Sequence, residues 1–133
     1  MENSGLILCD TDVIIEFYKD NLIVAKKLHQ ITVDRIAISS ITAAELIYGA
    51  LNKRELTKIC KDIGSLKVIS LNQRINVRFL ELMKKYSLSH KLKIPDCIIA
   101  ATAIEYNYQL FTLNTKDFIF IENIKLFEYE KSN

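Results

Sequence analysis

Glycine and proline are scarce in this chain, and their scarcity excludes several kinds of protein. Three glycines and one proline occur in 133 residues, so little material exists for flexible linkers. The glycines are Gly5, Gly49 and Gly64, which leaves no glycine-rich turn of the kind that binds phosphates in P-loop or dinucleotide-binding proteins. The length leaves no room for a second core, so we expect one domain spanning residues 1–133.

Sulfur ligands and long apolar runs are also few. The three cysteines, Cys9, Cys60 and Cys97, lie in apolar segments and form no C-x-x-C pair. We therefore expect reduced packing residues, with neither disulfides nor zinc. No apolar run approaches the roughly 18 residues that a membrane-spanning helix requires. The first residues include Glu2 and no basic residue, unlike a secretory signal, so we expect a cytoplasmic protein without a membrane partner.

The charge balance is weakly basic, with a formal net charge of +2, and excludes little by itself. Its distribution is more informative, because several basic residues cluster just before Asp96: Lys84, Lys85, His90, Lys91 and Lys93. Such a cluster is usually a solvated face, but next to an acidic cleft it would suit a polyanion. Lys91 and Lys93 are our candidates for contacts with a nucleic-acid backbone.

Short apolar runs alternate with helical patterns along the chain. Strands are predicted at residues 6–9, 36–39, 68–70, 109–112 and 125–127. Helices are predicted from about residue 12, at 23–30, 40–51, 53–65 and 71–86, and from Pro95, with a turn or short helix at 114–120. Strands that alternate with helices are typical of βαβ units, so we predict an α/β fold with a parallel sheet covered on both faces.

Four acidic residues suggest a common site. Asp10, Glu45 and Asp96 interrupt strongly apolar segments, and Asp117 follows the strand that ends near Thr112. Carboxylates are seldom buried unless they are paired or bind metal, and the carboxyl ends of parallel strands share one edge of a sheet. Repelling oxygen ligands without Cys or His favour Mg²⁺ or Mn²⁺. Such a cation supports phosphodiester hydrolysis by activating water.

The helix that carries Glu45 is predicted to be mostly buried. At 100° per residue, apolar side chains cover most of its circumference and leave one arc with Thr42, Glu45 and Gly49. We therefore expect Glu45 to lie in a narrow polar slot that opens on the acidic cleft.

The segments that carry these acids resemble the four motifs of the PIN-domain ribonucleases, in particular the VapC-like toxins of toxin–antitoxin modules. The corresponding segments are residues 8–15, 40–49, 94–103 and 110–118, in the family's order. The resemblance implies a three-layer α/β/α fold with a central parallel sheet. It also implies a Mg²⁺- or Mn²⁺-dependent endoribonuclease that acts on tRNA or other structured RNA, forms a homodimer and is covered by a cognate VapB-like antitoxin.

By this resemblance, Asp10, Glu45, Asp96 and Asp117 would be the catalytic residues. Asp10 and Asp96 would be the principal metal ligands, and Glu45 would complete the metal site and orient or deprotonate the attacking water. Many relatives have an acid where Asn114 stands, so Asn114 is an alternative to Asp117 at this site.

Three further points stay open at the level of sequence. Asp12 stands where many relatives have Asn, and we interpret it as the N-cap of the first helix, with a supporting role near the metal as the alternative. The hydroxyl of Thr112 is a candidate for orienting a ligand or a water. The alternative function is a PIN-like module that binds RNA or an antitoxin and cuts RNA slowly or not at all.

Overall fold

A four-stranded parallel sheet forms the centre of the protein. The structure is a computed structural model and describes residues 5–129. The strands are β1 (Ile7–Cys9), β2 (Ile36–Ser39), β3 (Lys67–Ile69) and β4 (Gln109–Phe111), in the spatial order β3-β2-β1-β4. All pairs are parallel, so the four carboxyl ends lie at one edge of the sheet.

Six α-helices connect and cover the strands in the part of the chain that the structure describes. They are α1 (Thr11–Tyr18), α2 (Leu22–Ile31), α3 (Ser40–Tyr48), α4 (Lys53–Gly64), α5 (Gln73–His90) and α6 (Ile94–Tyr106). Two short 3-10 helices occur at Val33–Arg35 and Thr115–Asp117. Asparagine side chains at Asn21, Asn52 and Asn72 accept hydrogen bonds from free N–H groups at the starts of α2, α4 and α5.

Alternating side chains on the strands divide the core into two halves. On β1, Ile7 and Cys9 pack with buried residues of α1, α2 and α3, whereas Leu8 faces the opposite side and packs with α5 and α6. This two-sided burial explains why the strands are almost entirely apolar. The predicted three-layer α/β/α fold is therefore confirmed.

The predicted strand at residues 125–127 is wrong. In the structure only Leu126 forms a bridge, which runs parallel to Leu110 of β4. The amide of Leu110 donates to Lys125 O, and the amide of Phe127 donates to Leu110 O. Both hydrogen bonds between residues 125–127 and β4 involve Leu110, so these residues form an isolated bridge and not a strand.

The cysteines only partly follow the expectation. All three are free thiols, and Cys9 and Cys97 are buried in the core as predicted. Cys60 is exposed instead, because it lies on the solvent side of α4, a helix without any fully buried residue. Within residues 5–129, no helix combines the length and apolar character needed to cross a membrane.

Phe118 and Ile119 offer a matched test of this core. Phe118 is 0% exposed, whereas its neighbour Ile119 is 67% exposed. We expect Phe118→Ala to lower the free energy of unfolding by about 3–5 kcal/mol through lost burial and a residual cavity. Ile119→Ala should change it by less than about 0.5 kcal/mol. Urea denaturation measures both values, and equal effects would contradict the packing described here.

Candidate active site

Asp10 lies at the carboxyl end of β1, in the middle of the sheet edge. It is the N-cap of α1, where its Oδ1 accepts a hydrogen bond of 2.8 Å from the Thr11 amide. Its Oδ2 accepts a 2.7 Å hydrogen bond from the Thr112 hydroxyl at the end of β4. Only 6% of Asp10 is exposed. Two neighbouring strand ends thus fix the orientation of this carboxylate.

Asp12 does not form the N-cap that we predicted for it, because Asp10 occupies that position. Asp12 lies in the first turn of α1, and its side chain reaches across to the segment after β4. There its Oδ2 accepts hydrogen bonds from Asn114 Nδ2 at 2.7 Å and from the Leu113 amide at 3.2 Å. The carboxylate therefore lies at the same edge of the sheet as Asp10.

Glu45 reaches the site from α3 and is held there by hydroxyl groups. The Thr11 hydroxyl lies 2.6 Å from Glu45 Oε1 and 2.9 Å from the Thr42 hydroxyl. A Thr11 hydroxyl that donates to Glu45 can accept from Thr42, so the three groups form a short chain. Because Thr42 is fully buried, one end of this row of hydrogen bonds is anchored inside the protein.

The polar slot predicted around Glu45 is wrong in its details. Thr42 is fully buried, whereas Ile47 is 41% and Tyr48 92% exposed. The helix therefore presents an apolar side to solvent in addition to Glu45. The projection from sequence identified the residues that share a face but could not identify which face contacts the sheet.

Asp96 approaches from the first turn of α6, next to Pro95. It is half-buried, and the charges of Asp10, Asp117 and Glu45 all act on it, as does the positive charge of Lys93. Asp117 belongs to the 3-10 helix after β4, and its amide donates to the Asn114 carbonyl. Since its charge acts on Asp96, Asp117 lies near that residue. The alternative residue, Asn114, is instead hydrogen-bonded to Asp12.

Burial and mutual repulsion raise the pKa values of three carboxyl groups in this site. Burial raises the pKa of Asp10, and the charge of Glu45 adds to the effect. Burial and the charge of Asp10 raise the pKa of Asp12 to about 7. Burial, followed by the charge of Asp10, raises the pKa of Asp96 to about 6. Burial is the larger cause in each group, and the neighbouring carboxylates add to it.

The donor set fits a hydrated divalent cation. Among residues 5–129, no three Asp, Glu, His or Cys side chains already converge as in a complete metal site. However, Mg²⁺ usually takes one or two carboxylates and keeps several waters, so it does not need such a cage. The neighbouring carboxylates have oxygen ligands of the right kind and carry charge that a cation would neutralise.

The basic cluster before Asp96 is less free than its sequence indicates. Lys85 Nζ lies 2.6 Å from Glu122 Oε1, and the His90 ring stacks on Phe120 with 4.0 Å between centroids. Lys91 ends α5 in the left-handed conformation and is exposed. The charge of Lys93 lowers the pKa of Asp96, so this lysine lies near enough to act on the site.

Sequence reasoning missed Thr11, although it contacts Glu45 directly. A threonine in the first turn of a helix is usually interpreted as a local capping group. Its position in the sequence could have indicated this contact. Thr11 directly follows Asp10 at the end of a strand, so its side chain lies at the same edge of the sheet.

Comparison with known proteins identifies the family of this chain. The PIN domain family matches residues 7–122. Ribonuclease VapC10 of Mycobacterium tuberculosis is 32% identical over 127 residues, which cover 90% of this chain and 91% of that protein. The chain therefore belongs to the PIN-domain family, within its VapC-like branch.

Solved structures give the same result. A toxin-antitoxin complex from Klebsiella pneumoniae contains a chain that is 31% identical, with a TM-score of 0.75 over 89% of this chain and 94% of that one. VapBC2 from Rickettsia felis, bound to a DNA fragment from its promoter, aligns at 26% identity with a TM-score of 0.77, over 94% and 99% of the two chains.

The raised pKa values predict how stability depends on pH. Between about pH 4 and 7 the folded state binds more protons at Asp12 and Asp96 than the unfolded chain does, so stability falls as pH rises. Without metal we expect the melting temperature to drop by several degrees between about pH 5 and pH 8. Mn²⁺ should raise it more at the higher pH.

The control for this measurement is Asp34→Asn, which removes an exposed carboxylate whose pKa is lowered, outside this pH window. It should leave the profile unchanged, whereas Asp96→Asn should flatten it. A metal-free melting temperature that increases from pH 5 to pH 8 would contradict the electrostatics of the site.

Proposed function

We propose that this protein is a Mg²⁺-dependent endoribonuclease, with Mn²⁺ as a substitute, and the toxin of a toxin–antitoxin module. The observation that supports the proposal is that Asp10, Glu45 and Asp96, from three separate elements, lie near enough to one another for the charges of Asp10 and Glu45 to act on Asp96. The ribonuclease name of the relative VapC10 supports the reaction class.

In this proposal Asp10 and Asp96 are the principal metal ligands, and Glu45 completes the site directly or through water. A cation held there would supply two effects, a lower pKa for an attacking water and stabilisation of the charge that develops on the phosphate. Thr112 keeps one Asp10 oxygen in place, and Thr11 keeps Glu45 directed toward the site. Glu45 can then orient the attacking water and accept its proton. Asp117 contributes negative charge next to Asp96.

The proposed substrate is RNA, in the form of tRNA or another structured RNA. Lys93 lies near Asp96, and Lys91 is exposed two residues earlier, so both can contact phosphates that flank the scissile bond. Such contacts position a backbone without reading its sequence. The choice of RNA would then depend on the shape of the loops around the acidic edge.

The proposed protein partner is a cognate VapB-like antitoxin, as the Rickettsia VapBC2 structure suggests. A surface groove of about 520 Å³ lies between α1, α2 and α4 and is lined by apolar residues that include Phe17, Leu28 and Val33. An adjacent groove of about 620 Å³ includes Glu45 in its lining. An amphipathic helix in these grooves would bury the exposed apolar groups and reach the acidic centre.

We also propose a homodimer that acts in the cytoplasm, where RNA and an antitoxin would be available. Val77 and Leu80 on α5 are about half exposed, at 51% and 47%, and Tyr48 on α3 is 92% exposed. Apolar side chains of this kind are suitable for an interface between copies.

The competing function is a non-catalytic module that binds RNA or the antitoxin. The shared repulsion of the acidic residues favours the enzyme, because a binding surface for RNA has no use for clustered negative charge. Metal-dependent cleavage separates the two functions.

The first test incubates the purified protein with total RNA and Mg²⁺. We expect wild-type cleavage, and a loss of at least about 100-fold in Asp10→Asn and Asp96→Asn, because each removes a proposed ligand charge. Asp34→Asn, with the same change at a distant exposed carboxylate, should cleave normally. Equal cleavage by all four proteins, measured on gels, would refute the proposed mechanism.

A second test addresses the antitoxin groove. With a candidate antitoxin encoded by the adjacent reading frame, we expect Phe17→Glu to weaken binding at least about tenfold, because it places a charge in an apolar groove. Leu88→Glu changes an exposed leucine on α5 and should bind normally. Both variants should retain ribonuclease activity. Calorimetry measures the affinities, and unchanged binding by Phe17→Glu would exclude this groove.

A further inference from the structure

Residues 112–114, which we call the β4 exit segment, hold two carboxylates at once. The Thr112 hydroxyl donates to Asp10 Oδ2 at 2.7 Å. The Leu113 amide and Asn114 Nδ2 donate to Asp12 Oδ2 at 3.2 Å and 2.7 Å. The Asn114 amide also donates to Thr112 Oγ1 at 3.1 Å, which fixes the segment internally. Three consecutive residues therefore orient Asp10 and Asp12 together.

These hydrogen bonds place the Asp12 carboxyl group beside that of Asp10. Thr112 and Asn114, which bind Asp10 and Asp12 respectively, are themselves joined by the hydrogen bond from the Asn114 amide to Thr112 Oγ1. Thr112 donates to Oδ2 of Asp10, and Asn114 donates to Oδ2 of Asp12. The Leu113 amide also lies closer to Asp12 Oδ2, at 3.2 Å, than to Oδ1, at 3.4 Å. Each carboxylate keeps further lone pairs for another partner.

We propose that Asp12 is a further carboxylate of the cation site, paired with Asp10 and positioned by Asn114 and the Leu113 amide. This inference rests on the proposed metal-dependent function and extends its ligand environment. Asp12 acts either on the cation directly or through one of its waters, since Mg²⁺ keeps several waters in protein sites. Asn114 is a positioning residue in this arrangement, because it acts through Asp12.

A purely structural role for Asp12 explains less. The N-cap of α1 is already provided by Asp10, so Asp12 is not needed to begin the helix. A tie between α1 and β4 could be formed by a neutral side chain at lower electrostatic cost. Two carboxylates placed next to each other repel, and burial strengthens that repulsion. A cation between the two carboxylates would attract both and offset their mutual repulsion.

The experiment measures Mn²⁺ binding by calorimetry on the full chain. We expect Asp12→Asn to weaken Mn²⁺ binding by about tenfold or more, and Asn114→Ala by a smaller factor, because it keeps all carboxylates but removes a donor. Asp10→Asn is the positive control for a lost ligand. Asp34→Asn matches the change in charge at a distant exposed residue and should bind within about twofold of wild type.

The results separate the inference from the function on which it rests. Wild-type Mn²⁺ affinity in Asp12→Asn, together with loss in Asp10→Asn, would overturn the role of Asp12 and leave the proposed function intact. A lower metal-free melting temperature with unchanged Mn²⁺ affinity would show a structural tie and overturn it as well. If Asp12→Asn does not fold, wild-type affinity in Asn114→Ala overturns the inference. If the wild type neither binds Mn²⁺ nor cleaves RNA, both proposals fail.

Discussion

Electrostatic repulsion between carboxylates is the constraint around which this protein is organised. Asp10 and Asp96 come from separate elements and act on each other through a partly buried edge of the sheet. Two unit charges about 4 Å apart repel by roughly 4 kcal/mol at an effective dielectric constant of 20. A rigid scaffold keeps such groups together, and the fully buried central strands β1 and β2 provide it.

On this scaffold, threonine hydroxyl groups set the orientation of the carboxylates. Thr112 holds Asp10 from β4, and Thr11 holds Glu45 from α1. Each hydroxyl has a second hydrogen-bond partner, Thr42 for Thr11 and the Asn114 amide for Thr112, which limits its rotation. Hydrogen bonds from the protein itself thus orient both carboxylates. Preorganisation of this kind reduces the cost of binding a charged ligand.

The sequence was sufficient for the architecture, whereas the roles of the four acids stay predictions. Alternation of apolar strands with helices predicted the layers, because both faces of a parallel sheet must be covered. Local patterns were less informative about orientation. The exposure of Tyr48 and Cys60 depends on which side of a helix meets the sheet, and periodicity alone does not fix that rotation. The contact between Asp12 and Asn114 joins residues 102 positions apart and has no local signal.

That separation has a consequence for how the protein is made. Ile7 of β1 pairs with Gln109 of β4, so the ribosome must synthesise the whole intervening segment before the two strands can meet. The hydrogen bond from Thr112 to Asp10 likewise spans 102 residues. Long loops must close before such contacts form. A nascent chain that ends before β4 therefore lacks the Thr112 hydroxyl that orients Asp10, so this carboxylate takes its final position only after residue 112 has been synthesised and folded against β1.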